Sequence, residues 1–429
     1  MNIFYKILGN TLIASVTNNF MWFALTFWVY LSTHSVLATS YIAGIYLVAT
    51  ASSGFWLGSL VDHQKKKKIM FFSSIATLVF FCFGFIVFFL SHSDAFTTIH
   101  SLSLWILVIT LMLGVLAGNI RNIALPTLVT ILVEDKQRDK ANGLSGTIMG
   151  ISFTITSVAS GLILAYGGMK TVLLVSIIFT IITILHLLTI QIPEKEIVHL
   201  HNQPKKIDLK GTYLVVKSIP GLLALIFFST INNFLGGVFM SLMDPYGLSL
   251  MSVQNWGLLW GVLSLGFIVG GMIIARKGLG KNPLKTLFLA NIIMWTVSIV
   301  FTIQPWIWLL TLGMFIWICL VPFAEAAEQT IIQKVVPPQR QGRVFGFSQS
   351  IEQAASPLTA FLIGPVAQFF FIPFMTTGKG VELIGWWFGT GQGRGIALVF
   401  TVTGFIGLLI TLFAMRTNAY KLLTRSYLK

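Results

Sequence analysis

Four ionisable side chains lie inside long apolar stretches of the chain. They are Arg121, Glu325, Glu328 and Glu352. An ionisable group in an apolar layer is costly unless it is paired or wetted, so each is a candidate functional residue. A carboxyl group there can carry a proton, and an arginine can pair with a carboxylate. We therefore take Glu352, Glu325 and Glu328 as candidate proton-coupling residues.

Amide side chains form a second polar set. The pairs Asn18–Asn19 and Asn232–Asn233 each lie about midway along an apolar stretch. At such depth an amide either joins helices through hydrogen bonds, worth about 0.6 kcal/mol each, or contacts a substrate. The symmetric placement of the two pairs leaves both interpretations open.

The apolar stretches supply no convergent nucleophile and base. The chain also lacks a phosphate-binding loop of the type Gly-x-x-x-x-Gly-Lys-Ser/Thr. Its two cysteines, Cys82 and Cys319, lie far apart in apolar stretches and indicate neither a disulfide framework nor a zinc site. We therefore expect no enzyme activity, no cofactor, no metal site and no direct use of ATP.

Composition excludes most classes of soluble protein. The 429 residues are 55% hydrophobic and only 10% charged, against roughly 25% charged residues in a soluble domain. The net charge of +15 comes from basic clusters that lie between apolar stretches, so it does not indicate nucleic-acid binding. The chain is predicted to be a polytopic membrane protein whose partner is the lipid bilayer.

The number of membrane spans follows from length. A helix that crosses the roughly 30 Å hydrocarbon layer needs about 20 mostly apolar residues, and the continuous stretches exclude a β-barrel. Twelve stretches qualify: 8–33, 37–61, 69–91, 102–133, 141–166, 170–192, 220–243, 252–275, 284–303, 305–335, 344–372 and 394–416. The predicted fold class is an all-α membrane protein with twelve transmembrane helices in two pseudo-symmetric six-helix bundles.

The distribution of basic residues predicts the orientation. With twelve spans, 24 of the 28 Lys and Arg residues fall on the side that holds both termini. Short loops rich in Lys and Arg stay cytoplasmic. We expect a multi-pass protein of the cell membrane with both termini in the cytoplasm.

Short motifs recur in both halves of the chain. Ser15-x-x-Asn18-Asn19-Phe20 recurs as Ser229-x-x-Asn232-Asn233-Phe234, Gly54-Phe55-x-x-Gly58 as Gly266-Phe267-x-x-Gly270, and Thr127, Val133, Lys140 and Gly143 as Thr330, Val336, Arg343 and Gly346, at offsets of 214, 212 and 203.

We predict an N-terminal bundle over 1–192, a cytoplasmic connector over 193–219 and a C-terminal bundle over 220–429. Within the connector, 207–217 is either an interfacial helix or a tether. The stretch 373–394 is predicted to be a loop that anchors at the interface or acts as a lid.

The loop between the second and third spans carries the most specific motif. It reads Gly58-Ser59-Leu60-Val61-Asp62-His63-Gln64-Lys65-Lys66-Lys67-Lys68. Gly54 and Gly58 let another helix approach closely. The carboxylate of Asp62 lies at the membrane edge, where it can pair with a cation or with a helix N-terminus.

With the repeat, this loop resembles the hallmark of the major facilitator superfamily, Gly-x-Leu-x-Asp-Arg-x-Gly-Arg-Arg, although His63 replaces the usual Arg and Lys65 the usual second Gly. The resemblance implies alternating access, in which Asp62 contacts the eleventh helix in the outward-facing state and Arg343 is its expected partner. The implied conformational-switch residues are Gly54, Gly58, Leu60, Asp62, Lys66, Lys67 and Arg343.

In this family the first, fourth, seventh and tenth helices line the cavity. The resemblance therefore implies that the cavity residues are Asn18, Asn19, Arg121, Asn122, Asn232, Asn233 and Glu325. Offset 203 places Asn122 at the position of Glu325, so we hypothesise that Arg121 and Glu325 face the cavity from opposite halves. Alternatively, Glu325 and Glu328 are wetted residues at the membrane edge, because Glu325 lies about 30 Å along its helix.

Within the superfamily the chain is most similar to the macrolide-efflux branch of drug:proton antiporters. The resemblance rests on the turn from Val336 to Gly346 and on Pro357, whereas the fifth helix lacks the Gly-Pro pair of many antiporters. It implies a monomeric secondary transporter that exports a small amphipathic molecule in exchange for protons. The alternatives are an importer, a lipid flippase or a non-transporting membrane sensor.

Overall fold

The structure is a computed structural model that describes residues 2–33, 36–194 and 209–428. Within these ranges the chain is helical and contains no β-strand. Its α-helices are α1 Asn2–Thr33, α2 Val36–His63, α3 Lys66–Leu90, α4 Leu102–Gly118, α5 Ile120–Leu132, α6 Arg138–Thr189, α7 Leu209–Ser218, α8 Leu222–Leu250, α9 Val253–Lys277, α10 Pro283–Val300, α11 Ile307–Val335, α12 Gln341–Val366, α13 Ile372–Thr376, α14 Lys379–Phe388, α15 Gln392–Arg416 and α16 Asn418–Leu428.

Eleven helical segments of the described chain are long and apolar enough to cross a membrane. One of them contains α6, whose 52 residues would extend about 78 Å as a single helix. Gly168 interrupts α6 with φ 64° and ψ −177°, a left-handed conformation that glycine adopts without steric cost. The interruption separates the predicted fifth and sixth spans, so the architecture agrees with the predicted twelve transmembrane helices.

The chain divides into two compact units. The first contains Met1–Ala141, Ile148–Thr212 and Val336–Ser350. Its core includes Met21 of α1, Phe81 of α3 and Leu107 of α4. Hydrogen bonds from two α3 hydroxyls reinforce the packing of α3 on α4: Ser73 donates to the Ala117 carbonyl at 2.7 Å and Thr77 to the Gly114 carbonyl at 2.9 Å.

The second unit contains Asn142–Thr147, Tyr213–Val335 and Ile351–Lys429. Its core is aromatic: Phe239 of α8 stacks on Phe400 of α15 with ring centroids 4.9 Å apart, and Trp295 of α10 is almost fully buried. Two short segments, Asn142–Thr147 and Val336–Ser350, thus group with the opposite half of the sequence. The predicted bundle boundaries at 192 and 220 stay a prediction.

Two connecting segments contain short helices. The stretch 373–394, predicted to be a loop, holds the end of α13 and all of α14, and Trp386 of α14 is 84% exposed. In the connector, α7 covers 209–218, while Ile207 and Asp208 of the predicted helix lie outside the described residues. An exposed tryptophan on a short helix is typical of the membrane interface.

Candidate functional site

Asp62 lies in the last turn of α2 and is buried. Its two carboxylate oxygens accept hydrogen bonds from the backbone N–H groups of Gly342, at 2.6 Å, and Arg343, at 2.8 Å. The first N–H groups of a helix have no partner within that helix, and its dipole favours negative charge at this end. Asp62 therefore caps α12 from a different part of the chain.

Arg343 contacts Asp62 mainly through its backbone. Its guanidinium Nε lies 3.8 Å from the Asp62 carboxylate, and its Nη2 lies 2.7 Å from His63 Nε2. The structure thus brings together the two residues predicted to pair, and it places the unusual His63 beside the arginine. Leu60 is half-buried in the same turn of α2.

The predicted switch lysines have a different acceptor. The backbone N–H groups of Lys66 and Lys67, which begin α3, donate to the Glu194 carboxylate at 2.6 and 2.9 Å. Lys67 Nζ also donates to the Leu188 carbonyl at 3.3 Å. Glu194 therefore caps α3 as Asp62 caps α12, and the motif analysis did not single it out.

Glycines make the approach of α2 to α12 possible. A Cβ on Gly58 would lie 2.5 Å from the Gly342 carbonyl oxygen and 3.0 Å from Gly346 Cα. A Cβ on Gly54 would clash with Ser350 and lie 3.0 Å from the Gly346 carbonyl oxygen. The two backbones are in contact, so a side chain at these positions would force them apart.

The two asparagine pairs divide in the same way. Asn18 donates to the Val115 carbonyl of α4 at 3.1 Å. Asn232 donates to the Phe228 carbonyl and accepts from Trp295 Nε1, both at 2.8 Å. Asn19 is partly exposed and Asn233 is exposed, and neither makes a side-chain hydrogen bond to a described residue. The first member of each pair therefore joins helices, and the second does not.

Arg121 makes its hydrogen bonds inside the first unit. It lies in α5, is 3% exposed, and donates to Asn10 Oδ1 and Ser74 Oγ, each at 2.8 Å. Asn122, the next residue, is exposed. The predicted pairing of Arg121 with Glu325 stays a prediction.

The three candidate carboxylates have different surroundings. Glu328 accepts a hydrogen bond from Ser229 Oγ of α8 at 2.7 Å, and Ser229 belongs to the repeated asparagine motif. Glu325 is partly buried in α11 and makes no side-chain hydrogen bond within the described part of the chain. Glu352 is partly buried in α12, about 13 Å along the helix from Arg343.

A second contact between glycine-containing helices was not predicted from the sequence motifs. Gly271 of α9 lies against Gly143 and Thr147 of α6, and a Cβ on Gly143 would lie 2.5 Å from Ile274 Cβ. In the same region Asn142 Nδ2 donates to Thr330 Oγ1 at 2.8 Å and to Gln333 Oε1 at 2.9 Å, and Gln333 Nε2 donates back at 3.2 Å. The repeat of Gly143 as Gly346 was the signal that could have located this contact.

Comparison with known proteins places this geometry in context. A sequence profile of the Major Facilitator Superfamily matches residues 7–360. The chain is 22% identical to macrolide efflux protein A of Streptococcus pyogenes over 371 residues, which are 83% of this chain and 87% of that protein.

Two solved structures have a similar fold. A bacterial homologue of the iron transporter ferroportin in the outward-facing state has a TM-score of 0.72 and 14% identity, covering 97% of this chain and 100% of that one. The proton:xylose symporter XylE bound to 6-bromo-6-deoxy-D-glucose has a TM-score of 0.66 and 13% identity, covering 100% and 98%.

Proposed function

The chain belongs to the major facilitator superfamily, and from that premise we propose that it is a monomeric, proton-coupled exporter of a small amphipathic molecule. It works by alternating access in the cell membrane, with both termini in the cytoplasm. Export of a drug-like compound is favoured by the relative named macrolide efflux protein A. An importer or a lipid flippase is the alternative within the same fold.

The observation that carries alternating access is the hydrogen bonding of Asp62 to Gly342 and Arg343. It joins α2, from the first half of the sequence, to α12, from the second half. The interaction is electrostatic and lies at the ends of two helices, so hydration of the carboxylate and of the N–H groups offsets much of the cost of breaking it. Such a contact can form in one transport state and break in the other.

Four side chains are proposed to line the substrate pathway. Asn19 and Asn122 of the first unit, and Asn233 and Glu325 of the second, are at least partly exposed within membrane-spanning helices. None of the four makes a side-chain hydrogen bond to a described residue. A polar group in a membrane span is disfavoured against lipid and normally faces protein or a water-filled cavity. Asn18, Asn232 and Arg121 are proposed to support the pathway rather than to contact the substrate.

Proton coupling is assigned to the carboxylates of α11 and α12. Glu325 changes protonation without breaking a hydrogen bond to a described residue, so it is our first candidate. Glu352 and Glu328 are the others, and protonation of Glu328 would alter its hydrogen bond with Ser229.

The decisive experiment measures transport of a panel of compounds, including macrolides, into inverted membrane vesicles with and without an imposed pH gradient. We expect the gradient to drive uptake of at least one amphipathic compound. We expect Glu325→Gln or Glu352→Gln to lose gradient-driven uptake while keeping a monodisperse fold. Glu382→Gln, on exposed α14, is the matched control. Wild-type uptake by the Glu325, Glu328 and Glu352 variants would remove the proposed proton sites.

A further inference from the structure

The surroundings of Arg121 contain a positive charge without an opposite charge nearby. Its guanidinium donates to two neutral acceptors, Asn10 Oδ1 and Ser74 Oγ. Within the described part of the first unit, no carboxylate oxygen lies within 4 Å of it. Arginine stays charged in proteins, and buried charges are normally paired.

Most of the donors of this guanidinium are unused. Arginine has five N–H donors, and the described residues accept two of them. Asn10 is held in place because its Nδ2 donates to the Thr183 carbonyl at 2.8 Å and lies 3.3 Å from His186 Nδ1. The amide therefore directs its oxygen at Arg121.

A small cavity borders Arg121 inside the first unit. Its volume is about 20 Å³, and its lining is Ala14, Thr17, Asn18, Ser73, Ser74, Thr77, Gly118, Arg121, Thr180 and Thr183. A space of this size holds one water molecule or one monatomic ion, and it is too small for phosphate or sulfate. Six of the ten lining residues carry hydroxyl groups, and each of these hydroxyls donates to a backbone carbonyl.

We propose that this cavity is a binding site for one halide ion, chloride in the cell, held by the free N–H groups of Arg121. The second hydrogen of Asn18 Nδ2 is the further donor that lines the cavity, since the hydroxyls of Ser74 and Thr77 donate to the Met70 and Gly114 carbonyls. The ion supplies the missing counter-charge and stabilises the first unit. The lining of the site belongs to the first unit alone.

Binding of radioactive chloride to the purified full-length protein tests the proposal. We expect one chloride per chain, displaced by bromide and not by gluconate or sulfate. Arg121→Gln removes the cation and should lower affinity by more than about tenfold. Arg276→Gln removes an exposed arginine of α9 and serves as the control that keeps wild-type binding.

A second variant keeps the test decisive if Arg121→Gln does not fold. Ser74 borders the cavity and its Oγ lies 2.8 Å from Arg121 Nη2, so Ser74→Asp would place a permanent carboxylate beside the guanidinium. We expect this variant to fold and to bind no chloride. Wild-type chloride binding by Ser74→Asp would overturn the proposal.

Thermal unfolding and crystallography give independent readouts. At constant ionic strength, replacing gluconate with chloride should raise the wild-type Tm by about 3 °C for each tenfold increase above the dissociation constant. The Tm of Ser74→Asp should not respond. Crystals grown in bromide should show an anomalous peak within hydrogen-bonding distance of Arg121. Water alone at this position, with no binding of chloride and no anion-dependent Tm, would refute the site.

Discussion

Two pairs of helices meet through glycines, but the chemistry of the two contacts differs. In the first unit, α2 meets α12 at Gly58 and Gly346, and Asp62 binds the N-terminus of α12. In the second unit, α9 meets the start of α6 at Gly271 and Gly143. The repeat offset of 212 assigns Ile274 to the position of Asp62. We call these the Asp62 contact and the Ile274 contact.

The two contacts also cap their helices differently. The first N–H groups of α12 donate to Asp62, 280 residues away in sequence. In the first turn of α6, the Lys140 N–H donates to the neighbouring Asp139 carboxylate at 2.7 Å. The N-terminus of α12 therefore has a long-range partner, whereas one N–H group in the first turn of α6 has a neighbouring one.

This difference shows that the close approach of two helices and the kind of interaction between them are separate features of each contact. Both contacts need glycine, because a Cβ would push the backbones apart. The Asp62 contact includes hydrogen bonds that water can replace when it opens, together with an aromatic contact between Phe55 and Phe347. Opening the Ile274 contact would expose a side chain that is now 0% exposed, at about 25 cal/mol for each Å² of apolar surface. We expect the Asp62 contact to switch and the Ile274 contact to be more permanent.

Of the variants that test the two contacts, Ile274→Asp should have the largest effect on folding. It places a carboxylate in a fully buried apolar site, and an uncompensated buried charge costs about 3–5 kcal/mol. We expect loss of monodisperse protein in size-exclusion chromatography. Ile274→Leu, which keeps the volume, should retain the wild-type yield. A monodisperse Ile274→Asp protein would contradict the apolar nature of this contact.

Asp62→Asn should leave the protein folded and reduce transport. It replaces two charge-assisted hydrogen bonds, each worth about 1.5–3 kcal/mol, by weaker contacts of a neutral amide. The state that contains the Asp62 contact should lose population, and the initial transport rate should fall about tenfold or more. Asp94→Asn, at an exposed carboxylate, is the control. An unchanged rate in Asp62→Asn would remove this contact from the transport cycle.

The spans were predictable because bilayer thickness dictates helix length. The predicted gap between the spans 141–166 and 170–192 contains Gly168, whose positive φ interrupts α6. The helix α14 was not predicted, because glycines and tryptophans in 373–394 indicate a loop by local propensity, whereas packing in the folded chain stabilises a short helix.

The candidate site was predictable in part. Asp62 and Arg343 could be paired because the resemblance to the superfamily motif implies that Asp62 contacts the eleventh helix, and Arg343 lies at the start of that helix. Asn18 and Asn19 could not be distinguished, since adjacent residues point about 100° apart on a helix and only the packing of α4 shows which one is turned inward. Ile274 carried no signal of its own, because isoleucine is common throughout the spans.

Gly346→Ala should weaken the Asp62 contact without changing its charge. The new Cβ would lie 2.9 Å from Gly58 Cα and would clash with the Gly54 carbonyl oxygen. Overpacking of this kind costs about 1–3 kcal/mol, so we expect a lower Tm and slower transport. Gly161→Ala has no atom within 4 Å of the added Cβ and should be neutral or stabilising by up to about 1 kcal/mol. Equal effects of the two substitutions would argue against close approach at Gly346.

A double-mutant cycle between Asn142 and Gln333 should reveal the smallest effect. Their amides exchange hydrogen bonds of 2.9 and 3.2 Å beside the Ile274 contact. Hydrogen bonds between membrane helices contribute about 0.6 kcal/mol each, so the pair should couple by about 1 kcal/mol in the free energy of unfolding. The measurement compares the unfolding of Asn142→Ala, Gln333→Ala and the double variant. Because these bonds reinforce a contact that we expect to persist, the single variants should lower Tm more than they lower transport. A large transport defect at an unchanged Tm would instead indicate that the Ile274 contact also opens during transport.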